Sequence, residues 1–138
     1  MTINEPAVSA QKQNVSHRKE TILVVDDEPV LRKLNAHILA SQGYVVIEAP
    51  TAAKALELLA EESVDLVITD VFMPKMNGYE LAEQMAQDYS SVAIQLISGC
   101  GGEKQQSAEA EQLNAQLLQK PFAAEKLLAH VRERLDNR

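Results

Sequence analysis

Two stretches decide the fold: Thr21-Ile22-Leu23-Val24-Val25-Asp26-Asp27 and Val64-Asp65-Leu66-Val67-Ile68-Thr69-Asp70. Each is a short run rich in β-branched residues that ends in aspartate, the pattern of a strand buried on both faces. If both are parallel strands of one sheet, the carboxylates of Asp26, Asp27 and Asp70 meet at one edge. Carboxylates held together repel one another, so either a cation sits between them or one of them holds a raised pKa. Hard oxygen donors of this kind suit Mg²⁺ or Ca²⁺ and not zinc.

Outward from these runs the chain alternates strands and helices. Pro29 stands well for the first turn of a helix, and Val30, Leu31, Leu34 and Ile38 recur at helical spacing, predicting that these four form its apolar face. Gly43 is a stop signal, and residues 44–47 read as the next strand. Thr51 is placed to cap a helix whose inward face is Ala52, Ala55, Leu56 and Leu59. Met73-Pro74-Lys75-Met76-Asn77-Gly78 is a loop, punctuated by Pro and Asn-Gly. A short helix over 79–87 should turn Leu81 and Met85 inward. A strand over 92–97 closes with Ser98-Gly99, a helix with almost no apolar face spans 103–112, and a fifth strand spans 116–119. Ala124, Leu127, Leu128, Val131 and Leu135 mark the last helix.

Five strands alternating with five helices imply an α/β domain, a parallel sheet covered on both faces. Right-handed crossovers leave few topologies. The simplest is the doubly wound flavodoxin-like order 2-1-3-4-5, whose crevice opens at the carboxyl ends of strands 1 and 3. The domain is expected over residues 21–138. Residues 1–20 are polar and aperiodic and read as a flexible tail, with His17, Arg18 and Lys19 as a solvated basic patch.

The apolar fraction of 46% suffices for a core, and an aromatic fraction of 4% makes that core aliphatic. A net charge of −7 and a pI near 4.9 argue against a nucleic-acid surface. One cysteine, Cys100, permits no internal disulfide. No apolar stretch reaches the roughly 18 residues of a membrane span, and the N-terminus shows no signal-peptide core, so the cytoplasm is the expected location. The three histidines form no metal set. His37 and His130 read as boundary residues of helices, and Met73, Met76 and Met85 as loop and core filler.

Two more polar residues close strands in the same register: Ser98, and Lys120 followed by Pro121. A carboxylate can attack phosphorus to give an acyl phosphate. Such a transfer depends on positioning and on neutralising the phosphoryl oxygens. A divalent cation and Lys120 supply that charge, and Ser98 supplies a hydrogen bond.

Four pieces now stand in order on their elements: Val24-Val25-Asp26-Asp27-Glu28; Asp70 with Met73-Pro74-Lys75-Met76-Asn77-Gly78; Ile97-Ser98-Gly99; and Lys120-Pro121-Phe122. In these the chain resembles the receiver domain of two-component response regulators, including the single-domain chemotaxis type, over about residues 21–135. The resemblance implies Asp70 as phosphoacceptor and Mg²⁺ as cofactor. The metal would be held by Asp27 directly, Asp26 through water, Asp70, and the backbone carbonyl of Phe72. It implies Lys120 paired with the phosphoryl oxygens, Ser98 as the switch hydroxyl and Gly99 offering its amide. The phosphodonor it implies is a histidine kinase or a histidine phosphotransfer protein.

The chain departs from the family at Leu117, where many receivers carry an aromatic residue that turns inward with the switch hydroxyl. Phe72 and Cys100 are expected to flank the phosphoryl group, and neither can orient water as a carboxylate or amide would. A slowly self-hydrolysing phosphoaspartate follows. With only three residues after Leu135, no output domain is expected. The leading expectation is a stand-alone, phosphorylation-controlled binding switch rather than a multiple-turnover enzyme. An aspartyl-phosphate phosphatase is the second reading, opposed by Phe72 at the place of that family's general acid. A phosphorylation-independent scaffold is the third.

Overall fold

A computed structural model describes residues 20–98, 118–119 and 123–138. Nine elements run through them: β1 (Thr21–Val25), α1 (Pro29–Ala40), β2 (Val45–Ala49), α2 (Ala52–Glu61), β3 (Leu66–Asp70), α3 (Gly78–Asp88), β4 (Ala93–Ser98), β5 (Leu118–Gln119) and α4 (Ala124–Asp136). The strands form one sheet in the order β2-β1-β3-β4-β5, and every pair is parallel. This is the flavodoxin-like α/β order expected from the alternation. The helix expected over 103–112 and the expected 1–20 tail lie outside the described residues, except for Glu20, which is held by Arg132.

Strand periodicity divides the core into two layers. Ile22, Val24, Leu66, Ile68 and Ile97 face α1 and α4, where they meet Leu39, Leu127, Val131 and Leu135. Leu23, Val25 and Val67 face the other way and meet Ala52, Ala55, Leu59, Leu81 and Met85 of α2 and α3. Successive residues of a strand point to opposite faces, so a strand covered on both faces must be apolar throughout. All six inward-facing helix positions expected on α2 and α3 pack here, with Leu56 partly buried. On α4 the buried residues are Leu127, Val131 and Leu135, while Ala124 is exposed.

The expected apolar face of α1 needs correction. Val30 is 71% exposed and Leu34 52% exposed. The helix buries Asn35, Ala36 and Leu39, with Leu31 and Ile38 half-buried. Adjacent residues stand about 100° apart on a helix, so the ridge Leu31–Asn35–Leu39 is a neighbour of Val30–Leu34. Both ridges carry apolar residues, and hydrophobic spacing alone does not choose between them. Small Ala36 and deep Leu39 let the helix lie close on the sheet, and that seating turns Val30 and Leu34 outward.

Helix ends follow their sequence signals. Thr51 accepts a hydrogen bond from Lys54 N–H at 3.0 Å. Asn77 and Glu80 close a reciprocal capping box, with bonds of 2.8 and 2.9 Å. Gly43 ends the α1 turn at φ 96°, where a side chain would be strained.

At the opposite end from the aspartates, α4 is tied to the amino ends of the strands. Arg132 donates to Glu20 at 2.9 Å and to the Tyr44 hydroxyl at 3.2 Å. Arg138 donates to Asp65 Oδ1 at 2.7 Å, and Thr21 N–H donates to Asp65 Oδ2 at 2.8 Å. Burial alone would push the Asp65 carboxyl up, but the Arg138 bond, the Thr21 amide and the Arg138 charge together hold it below the usual value. A carboxyl lowered on folding stabilises the fold above its unfolded pKa, and that contribution fades as pH falls through the folded one. Asp65→Asn should therefore cost about 1 kcal/mol at pH 7. The gap to the unmodified protein in urea unfolding should close as pH drops from about 4 toward the depressed value. A gap that stays constant with pH would show that the Asp65 charge contributes nothing.

Candidate functional site

The carboxyl ends of β1 and β3 lie side by side, because Val25 pairs with Thr69 in the parallel register. Asp26 and Asp27 follow β1, and Asp70 ends β3. One carboxylate oxygen from each of the three lies within 4.8 Å of the others. Asp26 is 3% exposed, Asp70 is half-buried and Asp27 is exposed, so the cluster grades from core to solvent. The three residues singled out from the sequence are thus brought together.

Each backbone segment of the site is held by a neighbour. Asp26 N–H donates to Ala49 O on β2 at 3.1 Å, and Asp26 Oδ1 accepts from Glu28 N–H at 2.9 Å. Val71 N–H donates to Ile97 O at 2.9 Å, tying the turn after Asp70 to β4. Gly78 N–H donates to Val71 O at 2.8 Å. A Cβ at Gly78 would stand 2.5 Å from Asp70 O and 2.9 Å from Val71 Cα. The glycine of the Asn-Gly pair is therefore required by close approach, which lets α3 begin directly beneath the phosphoacceptor candidate. Lys75, at φ 70°, makes the sharp reversal of the loop between them. Phe72 is 40% exposed beside this cluster in the chain, whereas Val71 and Met73 on either side are buried.

Ser98 ends β4, and its backbone pairs with Gln119 of β5. Its neighbour in the chain, Ile97, pairs with Asp70. The register therefore carries the strand end of Ser98 to the aspartate edge. Lys120, Gly99, Cys100 and Leu117 lie outside the described residues. Two contributors went unread in the sequence: Arg32, which reaches back to Asp26 O at 2.9 Å, and Glu48 of β2, which binds Arg32 at 3.0 Å. Nothing in local spacing links residues 16 positions apart on a helix and an edge strand.

The site and fold agree with what the chain is similar to. Residues 22–132 match the family described as response regulator receiver domain. The chain belongs to that family. It is 34% identical over 114 residues to the probable transcriptional regulator ycf27 of Guillardia theta, covering 83% of this chain and 44% of that protein. A CheY-like response regulator receiver domain protein from Methanospirillum hungatei superposes with TM-score 0.74 at 29% identity, over 86% of this chain and 94% of that one. The response regulator TrrA of Thermotoga maritima, solved in complex with Mg²⁺ and BeF, superposes with TM-score 0.73 at 29% identity, over 83% of this chain and 97% of that one. The receiver spans less than half the length of the curated relatives it matches. Receiver domains are phosphoacceptors of two-component phosphorelays, phosphorylated by histidine kinases, and not classical enzymes. The acidic cluster is typical of a receiver Mg²⁺ site. Among the described residues no helix is long and apolar enough to cross a membrane.

The tight seat of Gly78 makes a direct prediction. Gly78→Ala should destabilise the fold by about 1–3 kcal/mol, the usual cost of overpacking against a backbone that cannot rotate away. Urea unfolding measures it, and a loss under about 0.5 kcal/mol would mean that α3 shifts freely beneath Asp70.

Proposed function

We propose that this receiver accepts a phosphoryl group on Asp70, with Mg²⁺ held by Asp26, Asp27, Asp70 and the backbone carbonyl of Phe72. The observation that carries the proposal is the set of three carboxylate oxygens within 4.8 Å of one another. The donor set fits the ion. Ligands on opposite sides of octahedral Mg²⁺ stand about 4.2 Å apart, and Mg²⁺ readily keeps waters between itself and a more distant carboxylate. A divalent cation relieves the mutual repulsion of carboxylates at this spacing.

In the transfer, an Asp70 carboxylate oxygen attacks the phosphorus of a phosphohistidine on a histidine kinase or phosphotransfer protein. The O–P bond forms, the P–N bond breaks, and the electron pair returns to the leaving imidazole, which takes a proton. Bound Mg²⁺ supplies positive charge to the phosphoryl oxygens. Lys120 adds an ammonium on the same oxygens, and Ser98 donates a hydrogen bond that differs between the two states. Phosphorylation shifts the conformational equilibrium only through such differential contacts. The signal is then read by a protein partner that binds the phosphorylated surface. Exposed Val30 and Leu34 on α1, the helix that starts beside Asp26 and Asp27, give a docking protein apolar surface close to the site.

Incubation with Mg²⁺ and a panel of phosphorylated kinases, or a small phosphoramidate donor, should label the protein on Asp70, and Asp70→Ala should stay unlabelled. Absence of label with every donor would overturn the reading. Mg²⁺ at 100 times its Kd should raise unfolding stability by about 2.7 kcal/mol, and Asp27→Asn should lose most of this gain.

Phe72, exposed and unable to orient water, makes the phosphoaspartate long-lived. Phe72→Asn should shorten the phosphorylated half-life several-fold. A half-life that does not change would assign the lifetime to another residue.

A further inference from the structure

Arg32 is the least expected contact of the site. It sits one helical turn into α1, and its N–H makes the first bond of that helix, to Glu28 O at 2.9 Å. Its side chain is only 13% exposed and runs back toward the helix start. There the guanidinium makes two bonds in different directions. Nη1 donates to the backbone carbonyl of Asp26 at 2.9 Å, and Nε donates to Glu48 Oε1 at 3.0 Å. Lys33 approaches the same Glu48 oxygen at 3.5 Å from a more exposed position.

We propose that Arg32, braced by Glu48, is a positioning residue that holds the Asp26–Asp27 peptide in its cation-binding orientation. The inference rests on the reading of the aspartate cluster as a divalent-cation site. Asp26 is gripped on three sides: its N–H by Ala49 O, its Oδ1 by Glu28 N–H and its carbonyl by Arg32. The carbonyl is the decisive one, because it belongs to the peptide plane that leads into Asp27. Rotation of that plane would swing the exposed Asp27 carboxylate away from Asp70. A rigid fork with several fixed donors can hold a carbonyl and a carboxylate at once, and a single ammonium holds such a pair poorly.

Glu48 has a second role in this arrangement. An arginine beside a cation site opposes the cation by charge. The Glu48 carboxylate at 3.0 Å compensates that charge, so Arg32 contributes geometry at little electrostatic cost. Partners one step removed from a metal commonly change its affinity by about 10–100-fold when removed.

Calorimetric titration of the full chain with Mg²⁺, in the absence of any phosphodonor, separates the possibilities. Arg32→Met should weaken Mg²⁺ binding about 10-fold, and Arg32→Lys, which keeps charge and helix propensity, should also weaken it. Glu48→Gln should weaken binding to a smaller degree by uncovering the guanidinium charge, and should have no effect once Arg32 is Met. Amide exchange at Asp27 in the metal-free protein should quicken in Arg32→Lys, a change that a general loss of stability would spread over the whole sheet. Mg²⁺ affinity within twofold of the unmodified protein in a folded Arg32→Lys would overturn the positioning role and leave the cation site standing. No Mg²⁺ binding by the unmodified protein would overturn both.

Discussion

The register between β1 and β3 is the constraint on which the rest of this molecule depends. Ile22 pairs with Leu66 and each following residue in step, up to Val25 with Thr69. That register sets Asp26 and Asp70 at the same height, where their carboxylates approach within 4.8 Å. Side chains alternate along a strand, so a slip of one residue would exchange the two core layers and move one aspartate off the edge. The buried Ile22, Leu23, Val24, Val25, Leu66, Val67 and Ile68 make any such slip costly. The hydrophobic core thus holds like charges together that would otherwise separate.

The two ends of the sheet use charge in opposite ways. At the amino ends of the strands, unlike charges meet: Arg132 with Glu20, and Arg138 with Asp65. These contacts fasten the end of the chain that carries α4 to the starts of β1 and β3. At the carboxyl ends, like charges meet: Asp26, Asp27 and Asp70. A fold tied firmly at one end can hold like charges close together at the other.

Much of this is legible in the sequence. The two apolar runs ending in aspartate, the Thr51 cap, the Asn-Gly turn and the inward faces of α2 and α3 all follow from local rules, because each depends on residues a few positions apart. The exposed face of α1 did not. Val30–Leu34 and Leu31–Leu39 are both credible apolar ridges, and the choice was made by the seating of Ala36 and Leu39 on the sheet. Gly78 stood in the sequence as a turn residue, but the reason only glycine serves is the approach of Asp70 O and Val71 Cα to its missing Cβ.

By itself, the sequence determined the alternation of strands and helices, the doubly wound order and the identity of the three aspartates. Hydrophobic periodicity and parallel topology leave few other arrangements. Only the tertiary structure decided how those aspartates are held. The bonds from Arg32 to Asp26 O and to Glu48, and from Val71 to Ile97, join elements distant in the chain through orientations that no local pattern encodes. The acids are written in the order of residues, whereas their spacing and support arise from the packing of α1, β2 and β4 around them.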